Sequence, residues 1–253
     1  MKKLKNILLI LFCFLTMLAL YWEIIDYHNL HKINVEKRNI PTLLVSGDYG
    51  NWLTFGPLSR RYLRYHLSNE VVVVHLTKGN HIKTNKPLNN LKKNTLILVI
   101  FSLNKHYQKE SKQLSVLMRE LLSKYGINEV NLVGHSAGCN VIYRYLTRFY
   151  KNQPKKYPKT LKYINMATDY NNYERKLATN FPEHIKVLNI ISEMFNWHTD
   201  GVIKVINAEK FKNMVGKHDS YSQIVLHGGI NNLHYLLHQN SYVDRIIAKF
   251  LWQ

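Results

Sequence analysis

The chain has 253 residues, 46% of them hydrophobic, enough for one large domain or at most two small ones around an ordinary core, and this composition excludes general disorder. Lys and Arg number 35 against 16 Asp and Glu, a formal net charge of +19 that would attract anionic polymers or anionic lipids. The basic residues are scattered through Asn-rich segments without a helix-turn-helix, zinc-finger or RNA-binding signature, which argues against a nucleic-acid partner. The 2 cysteines exclude a disulfide framework.

The chain opens with "MKKLKNILLILFCFLTMLALYW", in which Lys2, Lys3 and Lys5 precede an uncharged apolar run from Ile7 to Trp22. That is the plan of a secretory signal or a signal anchor. No A-x-A-like cleavage site follows, and Cys13 comes after Phe12 rather than a small residue, so an uncleaved anchor is expected over residues 1–26, with a cleaved signal as the alternative. Lysines before the run and Glu23 and Asp26 after it put the N-terminus inside and the remainder outside. Residues 27–40 are polar and basic and read as a short stalk, leaving 41–253 as the domain.

From residue 40 onward, strand-like and helix-like segments alternate. "IPTLLVSG", "EVVVVHLTK" and "NTLILVIFS" are buried-strand patterns, the last two separated by a turn-rich stretch with Gly79, Asn80 and Pro87. "KQLSVLMRELLSKYG" spaces Leu114, Leu117, Met118, Leu121 and Leu122 at helical intervals and stops at Gly126. "EVNLVG" reads as a strand and "GCNVIYRYLTRFY" as a helix. "LKYINMAT", "HIKVLNIIS" and "SQIVLHGG" are further strands, and "SYVDRIIAKFLW" is a closing amphipathic helix. Apolar strands alternating with helices imply a mostly parallel sheet covered on both faces.

Between the fourth strand and its helix lies Gly134-His135-Ser136-Ala137-Gly138, a G-x-S-x-G pentapeptide. A serine at such an elbow is forced into a sharp turn with its Oγ exposed above the sheet, and the flanking glycines leave room for the neighbouring strand and helix. The same turn aims the Ala137 N–H at the position of a forming oxyanion. Cys139, in the first turn of the helix, is expected to pack rather than react. A serine nucleophile needs a base, and the base needs an acid. The loop after "HIKVLNIIS" offers Asp200, ahead of Glu193 and Asp169, and Asp200 could equally cap the helical stretch "VIKVINAEKF". For the base, His234 precedes the terminal helix, His238 would support that loop, and His227 falls in the strand as a half-buried residue. His234 and His238 have the i, i+4 spacing of metal ligands, but "HYLLH" lacks the glutamate of a zinc-protease helix, so no metal and no cofactor is expected. A second oxyanion donor should come from "VSGDYGNW", from the N–H of Asp48 or, failing that, Tyr49. The region 169–185 is the candidate substrate-shaping loop.

"IPTLLVSGDYGNW", "NLVGHSAG", "TDGVIKVINAEKF" and "NNLHYLLHQNSYVDRIIAKFLW" occur in the order seen in a family of α/β-hydrolases from Gram-positive bacteria, often described as cell-surface hydrolases with largely undefined substrates. The resemblance runs from about residue 40 to the C-terminus. It implies an α/β-hydrolase fold with Ser136 as nucleophile, Asp200 as the acid of a D-G-V motif, and His234 as the base of an H-x-x-L-H-x-N motif continued by Leu237, His238 and Asn240. Two positions depart from the family: its His-Gly after the first strand is Ser46-Gly47 here, followed by the carboxylate of Asp48, and its glycine at 139 is cysteine. The expectation is a membrane-anchored serine hydrolase acting without a cofactor on a small-molecule or lipid-like acyl substrate. A catalytically idle module adhering loosely to anionic envelope polymers, or an acyltransferase, are its rivals.

Overall fold

The computed structural model describes residues 2–103, 105–215 and 220–253. The N-terminal apolar run is one helix, α1 (Lys2–Leu30), followed by β1 (Thr42–Val45), α2 (Trp52–Arg64), β2 (Val71–Leu76), β3 (Ile82–Thr84), β4 (Leu96–Phe101) and α3 (Tyr107–Ser123). The second half contributes β5 (Glu129–His135), α4 (Ala137–Arg144), β6 (Lys159–Met166), α5 (Asn172–Arg175), β7 (Lys186–Met194), α6 (Val205–Glu209), β8 (Tyr221–Gly228) and α7 (Ser241–Trp252).

Among the described residues, eight strands form one sheet in the order β3-β2-β4-β1-β5-β6-β7-β8, parallel throughout except for the antiparallel edge pair β2–β3. β1 explains why the central strands read as continuous apolar runs. Leu43 and Val45 point into the layer shared with α3 and α4, whereas Leu44 points into the layer shared with α2 and α7, and all are buried. A strand with helices on both faces has no solvent side to mark with polar residues. The expected strands and the α/β-hydrolase architecture are therefore present. β3 is an addition: its short, lysine-bearing edge sequence lay inside the stretch read as turns.

α2 is a second addition, hidden by Gly56 and Pro57 within it. Asn51 caps its start by accepting from the Leu53 N–H, and Phe55, Leu58 and Tyr62 form its buried face. Proline cannot donate to the carbonyl four residues earlier, so the Leu53 carbonyl is freed; Gln239 Nε2 donates to it at 2.8 Å. A buried ion pair, Arg61 Nε to Asp244 Oδ2 at 2.6 Å, fixes α2 to α7.

The segment 27–40, expected as a stalk, is strapped to the domain instead. Leu30 is fully buried, Ile33 and Val35 pack against the α2/α7 layer, and the Glu36 N–H donates to the Trp252 carbonyl at 3.0 Å. The alternation of apolar residues at 33 and 35 gives the physical reason. The span Lys3–Leu30 is long and apolar enough to cross a membrane, and such a helix fits a membrane anchor or a signal peptide.

Candidate active site

Ser136 sits between β5 and α4 with φ 54° and ψ −132°, a conformation that costs an L-residue on the order of 1–3 kcal/mol and persists only when its surroundings enforce it. Here the enforcement is by hydrogen bonds. The Ser136 N–H donates to the Met166 carbonyl at 2.9 Å, and the Ser136 carbonyl accepts from the Cys139 N–H at 2.9 Å and the Thr168 hydroxyl at 2.5 Å. The glycines on either side answer to close contacts. A Cβ on Gly138 would lie 2.2 Å from the Val45 carbonyl oxygen, and one on Gly134 would lie 2.9 Å from the Cys139 Cα. Cys139 is buried against the end of β6, and that burial pushes its thiol up to about 11. It packs.

The sheet brings the other two side chains to the same rim. Asp200, in the loop after β7, accepts from the His234 ring at Oδ2, with Nδ1 at 2.8 Å, while its Oδ1 accepts from the N–H groups of Val202 at 2.9 Å and Ile203 at 2.6 Å. The backbone joins in: the His234 N–H donates to the Asp200 carbonyl at 2.8 Å. His234 Nε2 lies 3.0 Å from Ser136 Oγ. Because a carboxylate only accepts, Nδ1 carries the ring proton and Nε2 is left to accept from the serine hydroxyl. Asp200 orders its own turn rather than capping a helix, since the residue preceding α6 is Lys204.

Beneath His234 lie two further imidazoles. His135, the first variable residue of the pentapeptide, directs Nε2 to the His234 carbonyl at 3.0 Å, with its ring 4.9 Å from that of His234 and 4.8 Å from that of His238. Burial, reinforced by the neighbouring histidines, holds His135 well below the usual imidazole range; burial and then His234 lower His238 to about 4. Both are neutral near pH 7. Gln239 completes the support, with Nε2 2.9 Å from His238 Nδ1 and also donating to the carbonyl freed by Pro57. Neither His135 nor Gln239 was singled out from the sequence. The signal for Gln239 is Pro57, whose missing N–H leaves the Leu53 carbonyl open to another donor.

The site opens into a concavity of about 620 Å³ walled by residues 47–51, Leu53 and Thr54 on one side and by residues 234–236, His238 and Gln239 on the other. Asp48 lines it, and Gly47 abuts the serine closely enough that a Cβ there would lie 3.0 Å from Ser136 Cβ and 3.3 Å from the Ala137 nitrogen. Ala137 opens α4, so its N–H has no intrahelical acceptor. The Asp48 carboxylate has a partner of its own, the Tyr107 hydroxyl, which donates to Oδ2 at 3.2 Å; burial and then that carboxylate push the Tyr107 hydroxyl up to about 12. Segment 169–185 does not line the concavity: Tyr170 is buried against Phe211 with ring centroids 5.1 Å apart, and Asn171 caps α5. His227 is not half-buried but largely exposed, paired with Glu193, and Glu193 has no part in the Ser136 cluster. Asp169 offers only its backbone carbonyl, to Asn140. Among the described residues no group of three or more His, Cys, Asp or Glu is arranged to hold a metal ion.

Solved structures share this architecture. A Listeria innocua gene product, lin2722, superposes with a TM-score of 0.76 at 23% identity, over 85% of this chain and 94% of that one. A protein of Lactobacillus plantarum WCFS1 described as a candidate cell surface hydrolase gives 0.72 at 21% identity, over 85% and 92%. The Pyrococcus furiosus esterase Pf2001 gives 0.55 at 10% identity, over 87% and 86%. At these identities the likeness is one of fold. No curated protein matches the chain. The sequence profile of one family covers residues 29–178 and 172–253, from the buried strap through the serine elbow to the terminal helix, and the chain accordingly belongs to the α/β hydrolases of unknown function grouped as DUF915.

Proposed function

We propose that the protein is a serine hydrolase that cleaves an acyl ester or related acyl bond through a Ser136 acyl-enzyme. The observation that carries this reading is the hydrogen-bonded chain from Asp200 Oδ2 through His234 to Ser136 Oγ, at 2.8 and 3.0 Å, with the aspartate and histidine side chains almost fully buried. Ser136 Oγ attacks the acyl carbonyl carbon while His234 Nε2 takes its proton. The imidazolium so formed is stabilised by Asp200, which also fixes the ring and its tautomer. The carbonyl oxygen becomes an oxyanion facing the N–H groups of Ala137 and Asp48. As the tetrahedral intermediate collapses, the bond to the leaving alcohol breaks and that oxygen takes the proton back from Nε2. Water then attacks the acyl-enzyme, gives its proton to Nε2, and releases the acid as the proton returns to Ser136 Oγ.

Two features favour the idle-module alternative, the altered Ser46-Gly47-Asp48 loop and the large positive charge. That the Asp48 carboxylate accepts from Tyr107 supports a loop whose side chain is engaged and whose amide is left for an oxyanion. α1 serves in this reading as an uncleaved single-pass anchor, with the strap and the domain that follows it outside. A fluorophosphonate probe tests the proposal: the purified chain should be labelled, and Ser136→Ala should not. Absence of label on the unaltered protein, or equal label on Ser136→Ala, removes the reading.

A further inference from the structure

The mouth of the concavity carries several exposed apolar side chains. Tyr49, Leu53, Val202 and Tyr235 line it and are nevertheless half to two-thirds exposed. Val202 is shared with an adjoining concavity of about 730 Å³, where Trp197 and Ile206 are each more than three-fifths exposed. Scattered exposed apolar residues need no explanation, but a continuous apolar patch around a site marks a membrane, ligand or protein contact. Trp and Tyr on such a rim suit a boundary between an apolar layer and water.

Other observations choose among those occupants. The last turns of α1 are fixed on the domain: Leu30 is fully buried, Asn29 Nδ2 donates to Ser241 Oγ at 2.9 Å, and Glu23 pairs with Arg64. Ser241 follows the mouth residue Gln239 by two positions. With a helical rise of about 1.5 Å per residue and at most about 3.6 Å per residue of extended chain, the end of the apolar run at Trp22 is held within about 25 Å of the mouth. No flexible linker separates the two. Of the formal charge of +19, Lys2, Lys3 and Lys5 at the inner end of α1 supply three; the remaining +16 favours an anionic bilayer, and Lys105 lines the first concavity and Lys204 the second.

We infer that this rim is a lipid-contact surface and that the substrate of Ser136 is a long-chain acyl ester of a membrane lipid, its chain lying over Val202 towards Trp197 and Ile206. The inference rests on the hydrolase reading above and adds the substrate class and the surface that recruits it. The products are a free fatty acid and the lipid alcohol.

The test uses the full chain reconstituted in ester-linked phosphatidylglycerol vesicles, assayed for released fatty acid, with a soluble butyrate ester assayed in the same preparation. The unaltered protein should release fatty acid. The double variant Trp197→Ser/Ile206→Asp, both exposed positions outside the Ser136 concavity, should lose that release at least tenfold while turning over the butyrate ester within twofold and keeping its fluorophosphonate labelling rate. Equal fatty-acid release by variant and parent overturns the inference. So does turnover of the butyrate ester without fatty-acid release, which leaves the hydrolase reading standing. Turnover of neither ester, with no probe label, removes that reading and this inference with it.

Discussion

Two carboxylate–histidine pairs stand at the carboxyl ends of neighbouring strands, and they differ in almost everything except their chemistry. Asp200 and His234 are 2.8 Å apart with 1% and 2% of their side chains exposed. Glu193, at the end of β7, meets His227 at 2.5 Å and His198 at 2.9 Å, but those two histidines are 63% and 86% exposed. The first pair has a hydroxyl at the far ring nitrogen and neutral His135 and His238 packed behind it; the second has solvent. An imidazolium forming in the first is stabilised by one fixed carboxylate in a low dielectric, whereas in the second water screens the interaction. Pairing is common and carries little information. Enclosure and a third partner turn a pair into a candidate for catalysis.

Exchanging carboxylate for amide in each pair tests the contrast most severely. Asp200→Asn should lower kcat/KM for a soluble ester by roughly 10⁴-fold, because the wrong tautomer leaves Nε2 protonated towards Ser136. Glu193→Gln should stay within twofold in the same assay. Similar losses in both would dissolve the distinction.

Acid sharpens it next, through the neutral shell behind His234. Folded His238 takes a proton only near pH 4, while an unfolded imidazole does so near 6.5. The unfolded state therefore binds more protons between those values. Stability fully present above about pH 6.5 is lost as pH falls towards 4, by about 3 kcal/mol from this one group. The fall in Tm over that window should be visibly shallower in His238→Gln, which cannot titrate; an unchanged slope would mean the shell is not sealed.

The smallest effect concerns strain at the nucleophile itself. Ser136→Gly relieves the φ of 54° at the elbow, and the gain of about 1–3 kcal/mol is partly offset by the roughly 0.4–1 kcal/mol of extra freedom glycine gives the unfolded chain. A net rise of about 1 kcal/mol in unfolding free energy, with probe labelling abolished, is expected from denaturant titration. A less stable Ser136→Gly protein would mean that the serine side chain itself holds the elbow.

Much of the fold was legible because central parallel strands have no polar face: "TLLV", "VVVVHL" and "LILVIF" admit few other readings. α2 was not, because Gly56 and Pro57 break its pattern and the compensation for Pro57 lies 182 residues away at Gln239. The strap at 27–40 was misread as a stalk because its apolar residues, Leu30, Ile33 and Val35, are few and find their layer only when α2 and α7 are assembled. The loop at 169–185 was offered to the site from its position after β6, yet Tyr170 turns into the core.

By itself the sequence determined the elbow, since only glycines fit against Val45 and Cys139, and it determined the order of nucleophile, acid and base along the chain. It ranked Asp200 ahead of Glu193, at the end of β7, but could not show which histidine each would meet, nor that His135 would lie under His234. Those outcomes belong to the tertiary structure. Parallel pairing of β5 through β8 sets the carboxyl ends of the strands along one rim, and the length of each loop beyond that rim then selects which side chain reaches Ser136. Local pattern encodes a residue's own conformation; a meeting of side chains 34 and 98 residues apart is fixed only by strand register.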